Sequence, residues 1–171
     1  MRLNEICQLH CDDVKQVEGV SCFDINANTP DKMLKSSAAT RTVPVHPRII
    51  DLGFLDYAKS MQTKGERRLW PRLKHRRDGY GQDLSRWFGR FSDEHVVNDR
   101  KKVFHSFRHN FTDALKQKGV QEVTIAELVG HENPSITTGR YGKRLQPGPL
   151  LEALQKLDYG LDLAKLKRNW S

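Results

Sequence analysis

The chain has 171 residues, 29 Lys+Arg against 21 Asp+Glu, and a net charge of +8. That length suffices for one domain with a real core, and the sign of the charge favours a polyanionic partner: DNA, RNA or an acidic membrane. A hydrophobic content of 37% speaks against disorder. The three cysteines Cys7, Cys11 and Cys22 make no disulfide framework, no apolar run is long enough for a bilayer and no signal peptide is visible, which points to a cytosolic protein.

Residues 2–9, RLNEICQL, read as the second half of an amphipathic helix, with Leu3, Ile6 and Leu9 on one stripe. No N-cap precedes them, so the chain is expected to be a fragment whose natural N-terminal part is missing. Cys7, His10 and Cys11 resemble metal ligands only superficially: no matching Cys/His pair follows, and both cysteines fit the buried side of the helix. Val14 to Ile25 has strand chemistry with a turn or bulge at Gly19. Residues 32–35 and 41–46 read as two short strands around 36–40. Together 14–46 is expected to be a three-stranded antiparallel sheet, with Pro44 placing the last strand at an edge.

Pro47 to about Met61 has helical spacing of apolar residues. The stretch 64–77, KGERRLWPRLKHRR, holds seven Lys/Arg and one Glu. It is either a solvated loop or a contact to phosphate backbone through Arg67, Arg68, Arg72, Lys74, Arg76 and Arg77, with Trp70 and Leu73 as its anchors. Leu84, Trp87, Phe88 and Phe91 form a helical stripe expected to pack in the core. A helix over about 105–118 should point Phe107 and Phe111 inward and end at Gly119. A short helix runs from Val123 to Val129, and Pro134 is expected to begin another that reaches about Tyr141. Residues 146–149 read as a break before a last amphipathic helix on Leu150, Leu151, Leu154 and Leu157, with a basic tail from Lys165 to Arg168. The fold class is α+β: a single, mainly helical domain over 1–171 with a small three-stranded sheet near the N-terminus, in which 149–171 form a C-terminal helix and tail.

Several side chains can carry phosphate chemistry. His105 and Arg108 share a helical face and could donate to one phosphate, Arg108 with a bidentate fork; a surface ion pair or a cap is the alternative. His131 follows Gly130 at a helix end, where glycine lets a ligand approach closely; a capping role is the alternative. Tyr141 lies between glycines and basic residues, including Arg140 and Lys143, an unusual setting for a core tyrosine. Arg2 and Glu5 are three apart on the first helix and could simply pair. Lys35 is expected at a hairpin turn, where a long side chain can reach away from the sheet.

In this order, Arg2, Lys35, His105, Arg108, His131 and Tyr141 resemble the tyrosine recombinases, the phage-integrase family. The phrases RLNEICQLHCDDV, ATRTVPVHP, HSFRHNFTDAL and ELVGHENPSITTGRYGK are similar to those of bacterial phage and genomic-island integrases. The resemblance covers the catalytic domain and nearly the whole chain. It implies that Arg2 and Arg108 clamp the scissile phosphate, that Tyr141 is the nucleophile forming a 3′-phosphotyrosyl link, and that Lys35 protonates the leaving 5′ oxygen. It further implies that His105 assists proton transfer at the tyrosine, that His131 bonds the phosphate, and that Glu5 supports the site from behind. Double-stranded DNA would be the substrate and a tetramer on DNA the working assembly, with no metal, nucleotide or other cofactor and no membrane. The C-terminal helix matches a segment that in the family often packs on a neighbouring protomer; packing within the chain is the alternative. Family members carry more chain before the first arginine, so this chain alone is expected to bind DNA weakly and recombine little or not at all. Two other readings are a DNA-binding, inactive integrase fragment and a type IB topoisomerase-like relaxase. The phrases around His131 and Tyr141 favour integrase.

Overall fold

A computed structural model describes residues 1–97, 99, 102–131 and 144–167. The sheet is built from a hairpin. Strands β1 (Val14–Val17) and β2 (Val20–Ile25) pair antiparallel, and β2 pairs antiparallel with β3 (Arg41–Pro44), in the order β1-β2-β3. The connection is Glu18-Gly19, both at positive φ (51° and 77°), which matches the twist of the flanking strands. Val14 faces Phe23, and Phe23 faces Val43. Pro44 lies on an edge strand, where it interrupts no ladder.

The three-stranded antiparallel sheet is present, but its strands are divided differently from the sequence expectation. Val14 to Ile25 supplies two of them, and residues 32–35 supply none. That segment is held by side chains instead of ladder bonds: Lys32 Nζ donates to both Asp13 carboxylate oxygens, and Met33 N donates to Gln8 Oε1.

Helix α1 (Leu3–Cys7) is followed by a 3-10 turn at Cys11–Asp13. Its start is not bare, contrary to the sequence expectation: Arg2 occupies the N-cap position and its backbone N donates to Glu5 Oε2 at 2.7 Å. The helix expected from Pro47 to Met61 is two, α2 (Pro47–Asp51) and α3 (Phe54–Thr63). Gly53 at φ +88° separates them, a conformation that breaks the helical run. After α3, residues 67–69 run beside 9–11: Cys11 N donates to Arg67 O (2.9 Å) and Leu69 N to Leu9 O (3.0 Å). Trp70 anchors this segment, donating Nε1 to Ile6 O (2.8 Å) and stacking on Tyr57.

Helices α4 (Gln82–His95), α5 (Ser106–Gln117), α6 (Glu122–Val129) and α7 (Pro147–Gln155) complete the described fold. The residues expected as a break at 146–149 are the start of α7. Pro147 occupies its first turn, where a missing N–H leaves nothing unsatisfied. The core joins Leu9, Phe23, Ile25 and Val45 to Leu69, Leu115, Leu128, Leu150 and Leu154. Not every aromatic is part of it. Phe107 is 56% exposed and Trp87 51%, with Phe91 stacked on Trp87. Phe107 meets Phe88 and Phe104 at the surface. The chain beyond α7 lies against α2, where Arg48 donates to Leu161 O and pairs with Asp158. Among the described residues, no helix is long and apolar enough to cross a membrane.

Candidate active site

The site is organised around one buried carboxylate. Glu5 is 3% exposed. Its Oε1 accepts from Arg2 Nη1 (2.9 Å) and Arg41 Nη1 (3.4 Å), and its Oε2 accepts from Arg41 Nη2 (2.8 Å) and Arg2 N (2.7 Å). Burial by itself would raise its pKa. The hydrogen bond and charge of Arg41, with the bonds from Arg2, outweigh that and hold it below the usual glutamate range.

Arg41 was not singled out by the sequence reading, yet it ties three elements together. Besides Glu5, it donates Nη1 to Ala39 O (2.7 Å) and Nε to Leu128 O (3.1 Å). The signal was available: an arginine opening a short edge strand that carries Val43 and Pro44 must find partners once buried. Arg108 donates Nη2 to the next carbonyl, Val129 O (2.5 Å). Two guanidinium groups therefore meet the last carbonyls of α6, the negative end of the helix dipole. Gly130 closes α6 at φ +69°, and a Cβ there would sit 2.7 Å from Arg41 Nη1. Only glycine satisfies both the left-handed turn and the close approach. The turn places His131 directly beyond, its N donating to Ala126 O (3.1 Å).

Arg2, His105, Arg108 and His131, all expected site residues, gather around Glu5. Arg108 is buried, and burial pulls its pKa down to about 10, with Arg2 and Arg41 acting in the same direction and Glu5 against them. Partial burial also lowers His131, reinforced by Arg108, Arg2, Arg41 and His105. His105 is lowered by burial, then by His109, Arg108, Arg2 and Lys35. The exposed Lys35, 70 residues away in sequence, is thus within electrostatic reach of His105. His109 lies with its ring 5.0 Å from that of His105; its helical spacing from His105 was the overlooked clue. Three guanidinium groups around one carboxylate leave a net charge of +2. Arg108 Nη1 is buried with no hydrogen-bond partner among the described residues. An open pocket of about 400 Å³, lined by Leu3, Ile6, Phe104 and Phe111, flanks His105 and Arg108. Such an arrangement can bind an anion and stabilise added negative charge on it.

The sequence matches the model of the Phage integrase family over residues 1–146. The chain belongs to that family, the tyrosine recombinases. Comparison with curated proteins and with solved structures found no match. An integrase-family domain acts on DNA, and the excess of positive charge in the site fits a phosphodiester. Tyr141, Arg140 and Lys143 lie outside the described residues, as does the helix expected from Pro134.

The basic stretch of this integrase domain divides by partner. Arg68 donates to Leu73 O and Pro71 O and lies over the Tyr80 ring. Arg76 pairs with Asp83 and Arg77 with Asp78. Arg67, Arg72 and Lys74 are exposed, and among the described residues none has a carboxylate within salt-bridge distance. Cys7, Cys11 and Cys22 are buried free thiols. Burial pushes Cys7 and Cys22 up to about 11.

Proposed function

We propose that this chain is the catalytic domain of a site-specific DNA recombinase that integrates or excises a phage or mobile element. It cuts and rejoins double-stranded DNA through a covalent 3′-phosphotyrosine. The single observation that carries the reading is Arg108: a buried guanidinium whose Nη1 has no hydrogen-bond partner among the described residues, set in a cluster of net positive charge. An unsatisfied buried donor costs about 1–3 kcal/mol, and a phosphate oxygen would satisfy it.

In the proposed step, Arg2 and Arg108 hold the non-bridging oxygens and His131 adds a hydrogen bond. The Tyr141 oxygen forms a bond to phosphorus while the bond from phosphorus to O5′ breaks. The phenolic proton passes to His105, and a proton from Lys35 Nζ goes to O5′, leaving a 5′-hydroxyl. A phenol has a pKa of about 10 and is a poor nucleophile at neutral pH. In this step the cations that hold the phosphate would favour the ionised form of the phenol, and His105, lowered by burial, would take the proton. Glu5 and Arg41 act on substrate only through Arg2, Arg108 and His131. The phosphotyrosine bond keeps the energy of the phosphodiester, so a second 5′-hydroxyl reverses the step without ATP and without metal. Residues 1–171 form one catalytic unit, with 149–171 as its C-terminal segment, and the working assembly is a tetramer on DNA. In this reading Arg67, Arg72 and Lys74, which are exposed, contact the DNA backbone, with Arg140 and Lys143 as further contacts.

The test is trapping on nicked duplexes, selected from a randomised pool by adduct formation. A covalent protein–DNA adduct that is lost in Tyr141→Phe supports the recombinase. Binding without adduct indicates an inactive fragment, and relaxation of supercoils without sequence preference indicates a topoisomerase-like enzyme.

A further inference from the structure

The segment that carries Lys35 has no ladder bonds to a neighbouring strand, yet three consecutive residues before it are fastened by side chains. Asp31 Oδ2 meets His10 Nε2 at 2.8 Å and accepts from Tyr80 Oη at 3.3 Å. Lys32 Nζ donates to both Asp13 oxygens at 2.7 Å and to Asn26 Oδ1 at 3.0 Å. Met33 N donates to Gln8 Oε1 at 2.9 Å. The fastenings are buried: Gln8 is 2% exposed, and the Lys32 and Asp13 side chains 4% and 7%. His10, Asp13 and Gln8 all belong to α1 or its immediate exit, so the segment is tied to the helix that begins at Arg2.

A buried ion pair contributes little net stability, because desolvation of the two charges offsets their attraction. What it does impose is geometry, since an unpaired ammonium at that depth is strongly disfavoured. Two residues of chain span at most about 7 Å, so fixing Met33 N confines the Lys35 backbone to a small volume. Gln8 caps the C-terminus of the same helix whose N-cap is Arg2. A single rigid element therefore sets both the phosphate-binding cation and the tether of the proton donor.

We propose that Gln8 and the buried Asp13–Lys32–Asn26 cluster are positioning groups for Lys35, holding its ammonium at the leaving oxygen of the phosphate bound by Arg2. The inference rests on the recombinase reading above and adds residues that touch no substrate. Their effect is confined to one chemical event, protonation of O5′ as the bond from phosphorus breaks.

That confinement makes the test specific. A duplex with sulfur in place of the bridging O5′ leaves as a thiolate, whose conjugate acid has a pKa of about 8.5, and needs no proton donor. Single-turnover adduct formation is measured on oxygen and sulfur versions of the trapped duplex. Gln8→Met is expected to slow cleavage of the oxygen substrate by about 10²-fold, the usual consequence of a displacement near 1 Å, and to cleave the sulfur substrate at the wild-type rate. Gln8→Glu, which keeps an acceptor for Met33 N, should restore most of the oxygen rate. Equal slowing on both substrates, or no slowing, overturns the inference. Lys35→Ala is the control: if sulfur does not rescue it, the assignment of Lys35 fails, and if sulfur rescues Lys35→Ala but not Gln8→Met, only the positioning role fails. A wild-type chain that forms no adduct with either substrate overturns both. Asn26→Ala removes one bond to Lys32 and leaves the Asp13 pair in place. It reads the same oxygen-to-sulfur ratio, with a smaller loss, if Gln8→Met unfolds.

Discussion

Gly130 and Gly119 offer a controlled comparison, because both sit at φ +69°. An alanine at either position bears the same left-handed backbone penalty, about 1–2 kcal/mol. Their surroundings differ completely. At Gly119 a Cβ meets nothing within 4 Å, whereas at Gly130 it would lie 2.7 Å from Arg41 Nη1, 3.0 Å from Cζ and 3.1 Å from Nε. The guanidinium cannot retreat freely, since its side chain is 1% exposed and it holds Glu5, Ala39 O and Leu128 O. Complete loss of a partner from a buried ion pair costs about 3–5 kcal/mol. A displaced but still paired arginine should forfeit roughly half of that, so Gly130→Ala is expected to lose about 2 kcal/mol more than Gly119→Ala. For a domain of this size that difference corresponds to a Tm roughly 4–8 °C lower. Thermal and urea unfolding of the two variants provide the assay. In an Arg41→Met background the two alanine substitutions should become equivalent. Equal losses in the wild-type background would refute the contact between the α6 turn and Arg41.

Other consequences follow from the same geometry. Glu5 has a folded-state pKa below its ordinary value of 4.5, so its stabilising effect is complete above that value and is lost as pH falls through the folded value. The stability gap between wild type and Glu5→Gln should therefore be constant at neutral pH and narrow as pH falls below about 4.5; a gap independent of pH in urea titrations would exclude the arrangement. Arg108→Gln removes a charge that lowers both His105 and His131, so both imidazoles should titrate nearer 6.5 in an NMR pH series, and unmoved values would contradict their grouping. Cys7, Cys11 and Cys22 are buried and should resist a thiol reagent until the protein unfolds, whereas rapid native labelling would contradict their burial. Removing the charge of Arg67, Arg72 or Lys74 should weaken DNA binding uniformly across sequences and reduce the salt slope by about 0.9 for each true phosphate contact; an unchanged slope would remove that residue from the interface.

Local chemistry was legible wherever the cause was local. Leu150 and Leu154 marked the buried face of α7, Gly130 marked the end of α6, and Trp70 marked the anchor of the basic stretch. The spacing of His105 and Arg108 placed both at the start of one helix. Errors arose where a distant partner decided the outcome. Residues 32–35 read as a short strand, but the Lys32 ammonium found Asp13, 19 residues earlier, and the segment left the sheet. Phe107 fits an inward stripe, yet the inner face of α5 is filled by Arg108 and Leu115, which leaves the ring at the surface with Phe88 and Phe104.

The sequence by itself determined which groups of phosphate chemistry are present, their order along the chain, the family they belong to and the α+β class of the fold. It could not determine what makes those groups a site. Glu5 meets Arg41 across 36 residues, and Arg41 meets Leu128 O across 87. Those pairings form because desolvated charges must find partners wherever the packed chain brings them. Periodicity records only which face of an element is apolar, so a buried carboxylate in α1 and a buried arginine in β3 look like surface residues until tertiary structure puts one against the other.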